Sequence, residues 1–285
     1  MTTKEITLLH TPAEMRQWSM RHKCAGRTIG FVPTMGALHE GHLSLMRAAR
    51  ERDDVVVLSV FVNPAQFAPG EDFDRYPRTW EEDKAHAETI GMDAIYVPSV
   101  NDMYPEGYST YVTAEGVSDG LCTLTRPHFF RGVATVVAKL FNAVLPDRAY
   151  FGRKDGQQCA VVTRMARDLD FPVEIVALET VREPDGLAMS SRNKYLTEAD
   201  RENALSLSRG LFKARAAMEA GERDPDALKT IVRDTMRDVP IDYVELVDAG
   251  TIQPVERVQG TVMLAVAAHV GAARLIDNMT FTAQE

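Results

Sequence analysis

Cysteine is scarce in this chain, and its spacing serves no framework. Cys24, Cys122 and Cys159 are odd in number and far apart. They form no C-x-x-C pair and no zinc spacing, which excludes a disulfide scaffold and points to reduced, packed thiols. Positive charge is also short, with 32 Lys and Arg against 41 Asp and Glu and a net charge of −9. Such a balance argues against an electrostatic grip on nucleic acid, which needs clustered basic residues. It leaves anionic small molecules open, because local side chains decide those. No apolar run reaches the length of a membrane span. The opening M-T-T-K-E-I-T has no signal-peptide core, so a cytoplasmic location with no membrane partner is expected. Internal repeats and low-complexity tracts are missing too. What the chain does have is 45% hydrophobic residues over 285 positions, enough for a sizeable core in one large α/β domain or two modest ones.

The first two-thirds alternates strand and helix signals. Strands are expected at Thr28–Val32, at the β-branched run Val55–Val62, and at Ala94–Pro98, Ala149–Gly152 and Val173–Glu179. Helices are expected at Gly41–Asp53, Thr79–Gly91, Gly132–Leu145 and Gly156–Leu169. This alternation implies a parallel sheet, whose ligands sit beyond the carboxyl ends of the strands. The rhythm changes near Val181. Two helices follow, Thr197–Ala220 and Asp224–Asp238, the first with Thr197 as an approximate cap because Asp200 replaces the usual Glu or Gln. Strand character then marks Asp242–Asp248, Thr261–Val270 and Arg274–Asn278. The expected architecture is therefore α/β, a doubly wound parallel sheet over residues 1–182 with a second, smaller α+β domain over 183–285.

Five stretches carry the chemistry. In F-V-P-T-M-G-A-L-H-E-G-H, Phe31 to His42, a strand breaks at Pro and Gly and a helix begins. Helix N-termini attract phosphate through unpaired N–H groups and the helix dipole. Gly41 allows close approach, and His39 and His42 can donate hydrogen bonds or a proton. The plain alternative is a capped helix with two surface histidines. In F-V-N-P-A-Q-F, Asn63 and Gln66 suit hydroxyl or carboxylate recognition, or else Asn63 merely builds a Pro turn. In R-P-H-F-F-R-G-V, Arg126 to Val133, an arginine fork can hold a carboxylate or phosphate; as an isolated stretch it reads more simply as a solvated basic loop. In Y-F-G-R-K-D-G-Q-Q, Tyr150 to Gln158, Lys154 meets phosphate charge near a helix start, or it and Arg153 face solvent. In L-A-M-S-S-R-N, Leu187 to Asn193, two serines and an arginine can follow moving phosphate charge, or they form an ordinary loop before a helix.

In order and spacing, these stretches closely resemble the pantoate–β-alanine ligase family over nearly the whole chain, from about Ile29 to Asn278. The H-E-G-H segment resembles the histidine signature of the nucleotidyltransferase superfamily related to class I aminoacyl-tRNA synthetases, and M-S-S-R resembles its second signature. The resemblance implies a Rossmann-like first domain, a smaller closing domain and a homodimer. It implies ATP with Mg²⁺, (R)-pantoate and β-alanine as small-molecule partners, and a pantoyl-adenylate intermediate. It implies that Met35, Gly36, His39, Gly41 and His42 line ATP, with His42 as proton donor. Gly152, Arg153, Lys154, Asp155, Val181, Met189, Ser190, Ser191 and Arg192 would contact ATP too. Lys154 and Arg192 would stabilise phosphate charge and Gln66 and Gln158 would hold pantoate, with Asn63 beside them. No metal ligand is assigned; Glu82 and Asp83 are the acidic residues considered. The rivals are an adenylyltransferase of the same superfamily acting on a phosphate-bearing substrate, and a nucleotide- or RNA-binding module that the acidic charge disfavours.

The sequence departs from the family pattern at four positions. Arg153 stands for an acid, Gly156 for an aromatic, Phe129 for a histidine (with His128 one place earlier), and Ala65 for a common Met. Ala65 enlarges the expected pantoate pocket and Phe129 removes a polar contact, so pantoate should bind more weakly than in the usual pattern. Ala65→Met and Phe129→His should each lower the Michaelis constant for pantoate; steady-state kinetics in which neither moves it would refute this reading.

Overall fold

The computed structural model describes residues 5–68, 70–71 and 73–283. The first four residues of the M-T-T-K-E-I-T opening lie outside them. The chain forms two compact units. One runs to Ala114 and takes in Thr125–Gly152 and Val161–Leu178; the other holds Glu115–Leu124, Arg153–Ala160 and the chain from Glu179 onward.

In the first unit the elements run β1 (Thr7–Leu9), α1 (Pro12–Cys24), β2 (Ile29–Thr34), α2 (Glu40–Arg52), β3 (Val55–Val60), α3 (Trp80–Ile90), β4 (Ala94–Tyr96), α4 (Val100–Met103), α5 (Phe129–Val144) and β5 (Arg148–Gly152). Helix α6 (Gly156–Asp168) and β6 (Glu174–Leu178) follow. The strands form one six-stranded sheet in the order β1-β4-β3-β2-β5-β6, and every neighbouring pair is parallel. Chain progress reverses between β2 and β5, so their carboxyl ends flank the switch point where α/β sheets bind ligands. Val55, Val56, Val57 and Leu58 are fully buried, as a strand covered on both faces requires. Leu43, Leu45, Met46 and Ala49 turn one stripe of α2 onto Val32, Val56 and Leu58. Each buried Leu or Met there contributes about 1.5–3 kcal/mol.

At the amino end of the sheet, Asp53 is enclosed. Its carboxylate accepts from Arg148 Nη1 at 2.7 Å and from the Tyr150 hydroxyl at 2.6 Å. Burial, then this carboxylate, pushes the Tyr150 phenol above its ordinary pKa, so it remains the donor. Gly30 on β2 makes the room, since a Cβ there would meet Asp53 Oδ2 at 2.5 Å.

In the second unit α7 (Glu198–Glu219) and α8 (Pro225–Thr235) pack on an antiparallel sheet of β7 (Ile241–Asp248), β8 (Thr261–Val270) and β9 (Ala273–Thr282), ordered β7-β8-β9. Alternation along the strands puts Val262, Leu264, Val266, Leu275 and Met279 against Leu207, Leu211, Leu228 and Val232. The cap of α7 is more complete than expected. Thr197 Oγ1 accepts from Asp200 N–H at 3.1 Å, and Asp200 Oδ2 accepts from Thr197 N–H at 3.1 Å, so the shorter acid still closes the box. Helix α5 begins at Phe129, ahead of the expected Gly132. Among the thiols Cys122 is buried and Cys24 is exposed, which corrects the expectation that all are packed.

Gly30→Ala should destabilise the protein by about 1–3 kcal/mol, the usual scale for overpacking beside a buried group that has no room to yield. Urea unfolding checks this, and an unchanged midpoint would show that Asp53 can shift.

Candidate active site

The loop from β2 to α2 is built by main-chain geometry. Gly36 and Ala37 are both left-handed, with φ of +79° and +50°. Glycine suits the first; the second carries strain that something must hold. Asp83 of α3, 2% exposed, does so. Its carboxylate accepts from Ala37 N–H at 3.0 Å and from Leu38 N–H at 2.8 Å, with the Thr79 hydroxyl at 3.2 Å. Thr34 Oγ1 accepts from Gly36 N–H at 3.2 Å and donates to the Ser59 carbonyl at 2.7 Å. Asp83 is thus committed to the loop rather than presented as a metal ligand. Met35 is half-buried beside these residues.

The two histidines cap α2 reciprocally. His39 Nδ1 accepts from Gly41 N–H at 3.2 Å, and His42 Nδ1 lies 3.4 Å from His39 N–H. Their ring centroids are 4.2 Å apart. A nitrogen that accepts carries no proton, so in the neutral rings the proton sits on Nε2 of each. The structure shows the capped helix of the plain reading, and in the neutral rings that cap selects the tautomer with its proton on Nε2.

After β3, Asn63 is 1% exposed and caps the short 3-10 turn Pro64–Gln66. Its Nδ2 donates to Gln66 Oε1 at 2.9 Å and to the Gly132 carbonyl at 3.1 Å. Its Oδ1 accepts from Ala65 N–H at 3.2 Å and from the Tyr104 hydroxyl at 2.8 Å. These four bonds take the amide's full capacity. Gln66 Oε1 is fixed by Asn63, which leaves Nε2 as the donating end of that side chain. The R-G-V step also acquires a purpose: a Cβ on Gly132 would lie 2.2 Å from the Ala65 carbonyl oxygen, so only glycine lets α5 approach this turn.

Arg126 departs from both sequence readings. Its Nε and Nη2 grip Glu71 at 2.7 and 2.6 Å, and Nη2 also donates to the Gln66 carbonyl at 2.8 Å. The fork is already filled by an internal carboxylate, and the half-buried side chain is not a solvated basic group. Phe129 has a physical role here, with the Arg126 guanidinium 4.2 Å from its ring centroid.

In the second unit, the turn after β5 is a 3-10 segment, Arg153–Asp155, that leads into α6. Gly152, Arg153, Lys154 and Asp155 are all half-buried, and Lys154 Nζ lies 3.8 Å from Asp155 Oδ1. Of the paired glutamines, Gln157 is buried and structural. Its Oε1 accepts from Cys122 N–H at 3.2 Å, and its Nε2 lies 3.2 Å from the Asp119 carbonyl. Gln158 beside it is half-buried. Cys159 follows, its thiol pushed up to about 12 by burial and therefore inert. Further along, Met189 N–H donates to the Val181 carbonyl at 3.0 Å, which brings those two predicted residues side by side. Ser190 Oγ accepts from Arg192 N–H at 3.2 Å and caps the short turn Ser191–Tyr195. Arg182 braces the segment: it forks onto Asp277 at 2.6 and 3.0 Å and donates to the Gly186 carbonyl at 3.1 Å. Sequence reasoning does not find Asp83, Arg126, Gly132 and Arg182 in these supporting roles. Only the glycine has a signal, an R-G-V step ahead of an apolar helix.

A doubly wound parallel sheet with a histidine-capped helix at its switch point defines a Rossmann-like α/β protein. A family model described as pantoate-beta-alanine ligase matches residues 7–280. The chain is 53% identical to a pantothenate synthetase of Moorella thermoacetica, over 96% of this chain and 98% of that protein. It is 54% identical to one of Heliobacterium modesticaldum, over 96% and 99%. A crystal structure of pantothenate synthetase from Thermus thermophilus superposes with a TM-score of 0.90 at 45% identity, covering 96% and 99% of the two chains. Another, of pantoate-beta-alanine ligase from Francisella tularensis complexed with beta-gamma ATP and beta-alanine, gives 0.78 at 30% identity, over 96% and 97%. The chain belongs to the pantoate–β-alanine ligase family.

Asp83→Asn keeps one acceptor oxygen but turns an NH₂ toward an N–H donor. The amides of Ala37 and Leu38 should then exchange with solvent about 10–100-fold faster, the equivalent of losing a charge-assisted bond. Hydrogen-exchange NMR reads this directly, and unchanged protection would show that the loop holds itself.

Proposed function

We propose that this chain joins (R)-pantoate to β-alanine at the expense of ATP. A pantoate carboxylate oxygen attacks the α-phosphorus, and the bond to the leaving pyrophosphate breaks. The β-alanine amine then attacks the acyl carbon of pantoyl adenylate, loses a proton, and releases AMP. The observation that carries this reading is the reciprocal histidine cap at the sheet's switch point, which sets an Nε2–H donor on each ring where a phosphate meets a helix start.

Each predicted residue has a task. Met35, Gly36, His39, Gly41 and His42 receive the nucleotide, with His42 donating to phosphate oxygen as charge builds. Lys154 and Arg192 stabilise the same charge, and Gly152, Arg153, Asp155, Val181, Met189, Ser190 and Ser191 contact ATP. Donors fixed before the reaction stabilise the transition state without reorganising. Gln66 and Gln158 hold pantoate. Asn63, with its bonds taken inside the protein, orients Gln66 rather than touching substrate. Residues 1–182 act as the ATP- and pantoate-binding domain. Residues 183–285 act as a closing domain that keeps water from the labile anhydride.

Mg²⁺ belongs to this reading as an ion carried by the triphosphate. Among the described residues no group of three or more His, Cys, Asp or Glu side chains could hold a metal ion, and Asp83 is engaged by main-chain N–H groups. When bound, it would neutralise phosphate charge. We further propose a cytoplasmic homodimer, which light scattering would report as about twice the 31.6 kDa chain mass.

A coupled assay for AMP, omitting pantoate and β-alanine in turn, tests the overall reaction. Pantoate-dependent ATP–pyrophosphate exchange separates it from a plain adenylyltransferase. His42→Ala should lower that exchange by about 10²–10³, the scale for loss of one preorganised donor. Exchange at the wild-type rate would remove His42 from the mechanism.

A further inference from the structure

We propose that Asn278, on β9, is a positioning residue for Lys154. This rests on the reading of Lys154 as a phosphate contact. Asn278 is 7% exposed, and its Nδ2 donates to the carbonyls of two successive residues, Arg153 at 2.9 Å and Lys154 at 2.7 Å. A carbonyl oxygen has two lone pairs, so each of these can accept from Asn278 beside any bond it makes along the turn and helix that follow. One amide nitrogen bonds to both and ties the turn to a strand. A lysine on a four-carbon stem delivers its charge accurately only if its backbone is fixed, and this is what Asn278 fixes.

Three further observations support the assignment. The face of the three-stranded sheet that carries Asn278 also carries Met263, and both lie against Gly156, where a Cβ would meet Met263 Sδ at 2.4 Å and Asn278 Oδ1 at 3.1 Å. Gly156, one of the four departures from the family pattern, is therefore the residue that lets the turn seat on Asn278. The strand under it is rigid, being hydrogen-bonded along its length to β8. Its position is also fixed from the other face, where Asp277 holds Arg182.

The test is pantoate-dependent ATP–pyrophosphate exchange on the full-length enzyme, with thermal melting alongside. Asn278→Asp is isosteric but removes both donated bonds. It should lower kcat for exchange by about 10–100-fold, the scale for a misplaced reacting group. Asn278→Ser keeps one donor and should lose less. Combined with Lys154→Ala, Asn278→Asp should add nothing further, because both act through one ammonium group. Met279→Ala, a buried neighbour outside these contacts, should lower the melting temperature while leaving kcat within about twofold. Asn278→Asp with near wild-type kcat, or a loss that adds to that of Lys154→Ala, would overturn the proposal. If instead Lys154→Ala itself leaves exchange intact, the reading of Lys154 fails and takes this inference with it, a result distinct from failure at Asn278 alone. Should Asn278→Asp not fold, the comparison of Asn278→Ser with Met279→Ala at matched melting temperature decides.

Discussion

The enclosed carboxylate of Asp53 is the constraint on which the first unit depends. Arg148 and Tyr150 both belong to β5, and the glycine that admits the carboxylate belongs to β2. A carboxyl group so buried is tolerable only with its hydrogen-bond partners in place. It therefore specifies that β2 and β5 lie side by side, although β3, β4 and helices α2 to α5 intervene between them in sequence. That adjacency creates the switch point at the opposite end of the same two strands. The burial of one polar cluster at one rim thus decides where the switch point forms at the other.

The loops in both units are held by a common device. Rigid side chains from neighbouring elements hydrogen-bond to main-chain atoms of the loop, so its path is held from outside. Asp83 does this for Ala37 and Leu38, Arg126 for the Gln66 carbonyl, and Gln157 for the segment around Cys122. Site precision here comes from supports whose hydrogen bonds end inside the protein.

The alternation of strands and helices is legible in the sequence because buried β-branched runs and apolar stripes are local signals. Val55–Val60 and α2 are clear for that reason. The first strand and helix escape such a reading on different grounds. Thr7–Leu9 is too short to show a period, while Thr11-Pro12-Ala13-Glu14 carries a full capping signature that opens α1 and stands outside the expected elements. In the site, the histidine loop can be read from its glycine and its helix start. The parts that cannot be read are pairings between distant segments. Nothing in R-P-H-F-F-R-G-V announces that Glu71 fills its arginine fork, and nothing near Lys154 points to a strand 124 residues later.

The contact between Gly132 and Ala65 is made by a carbonyl oxygen. Every amino acid has that atom in the same place, so the helix registers the path of the chain at position 65 and is blind to its identity. Variation there is uncoupled from packing on α5, while position 132 has no such latitude. In this contact the pair divides into one position whose side chain the helix does not read and one that admits no side chain at all.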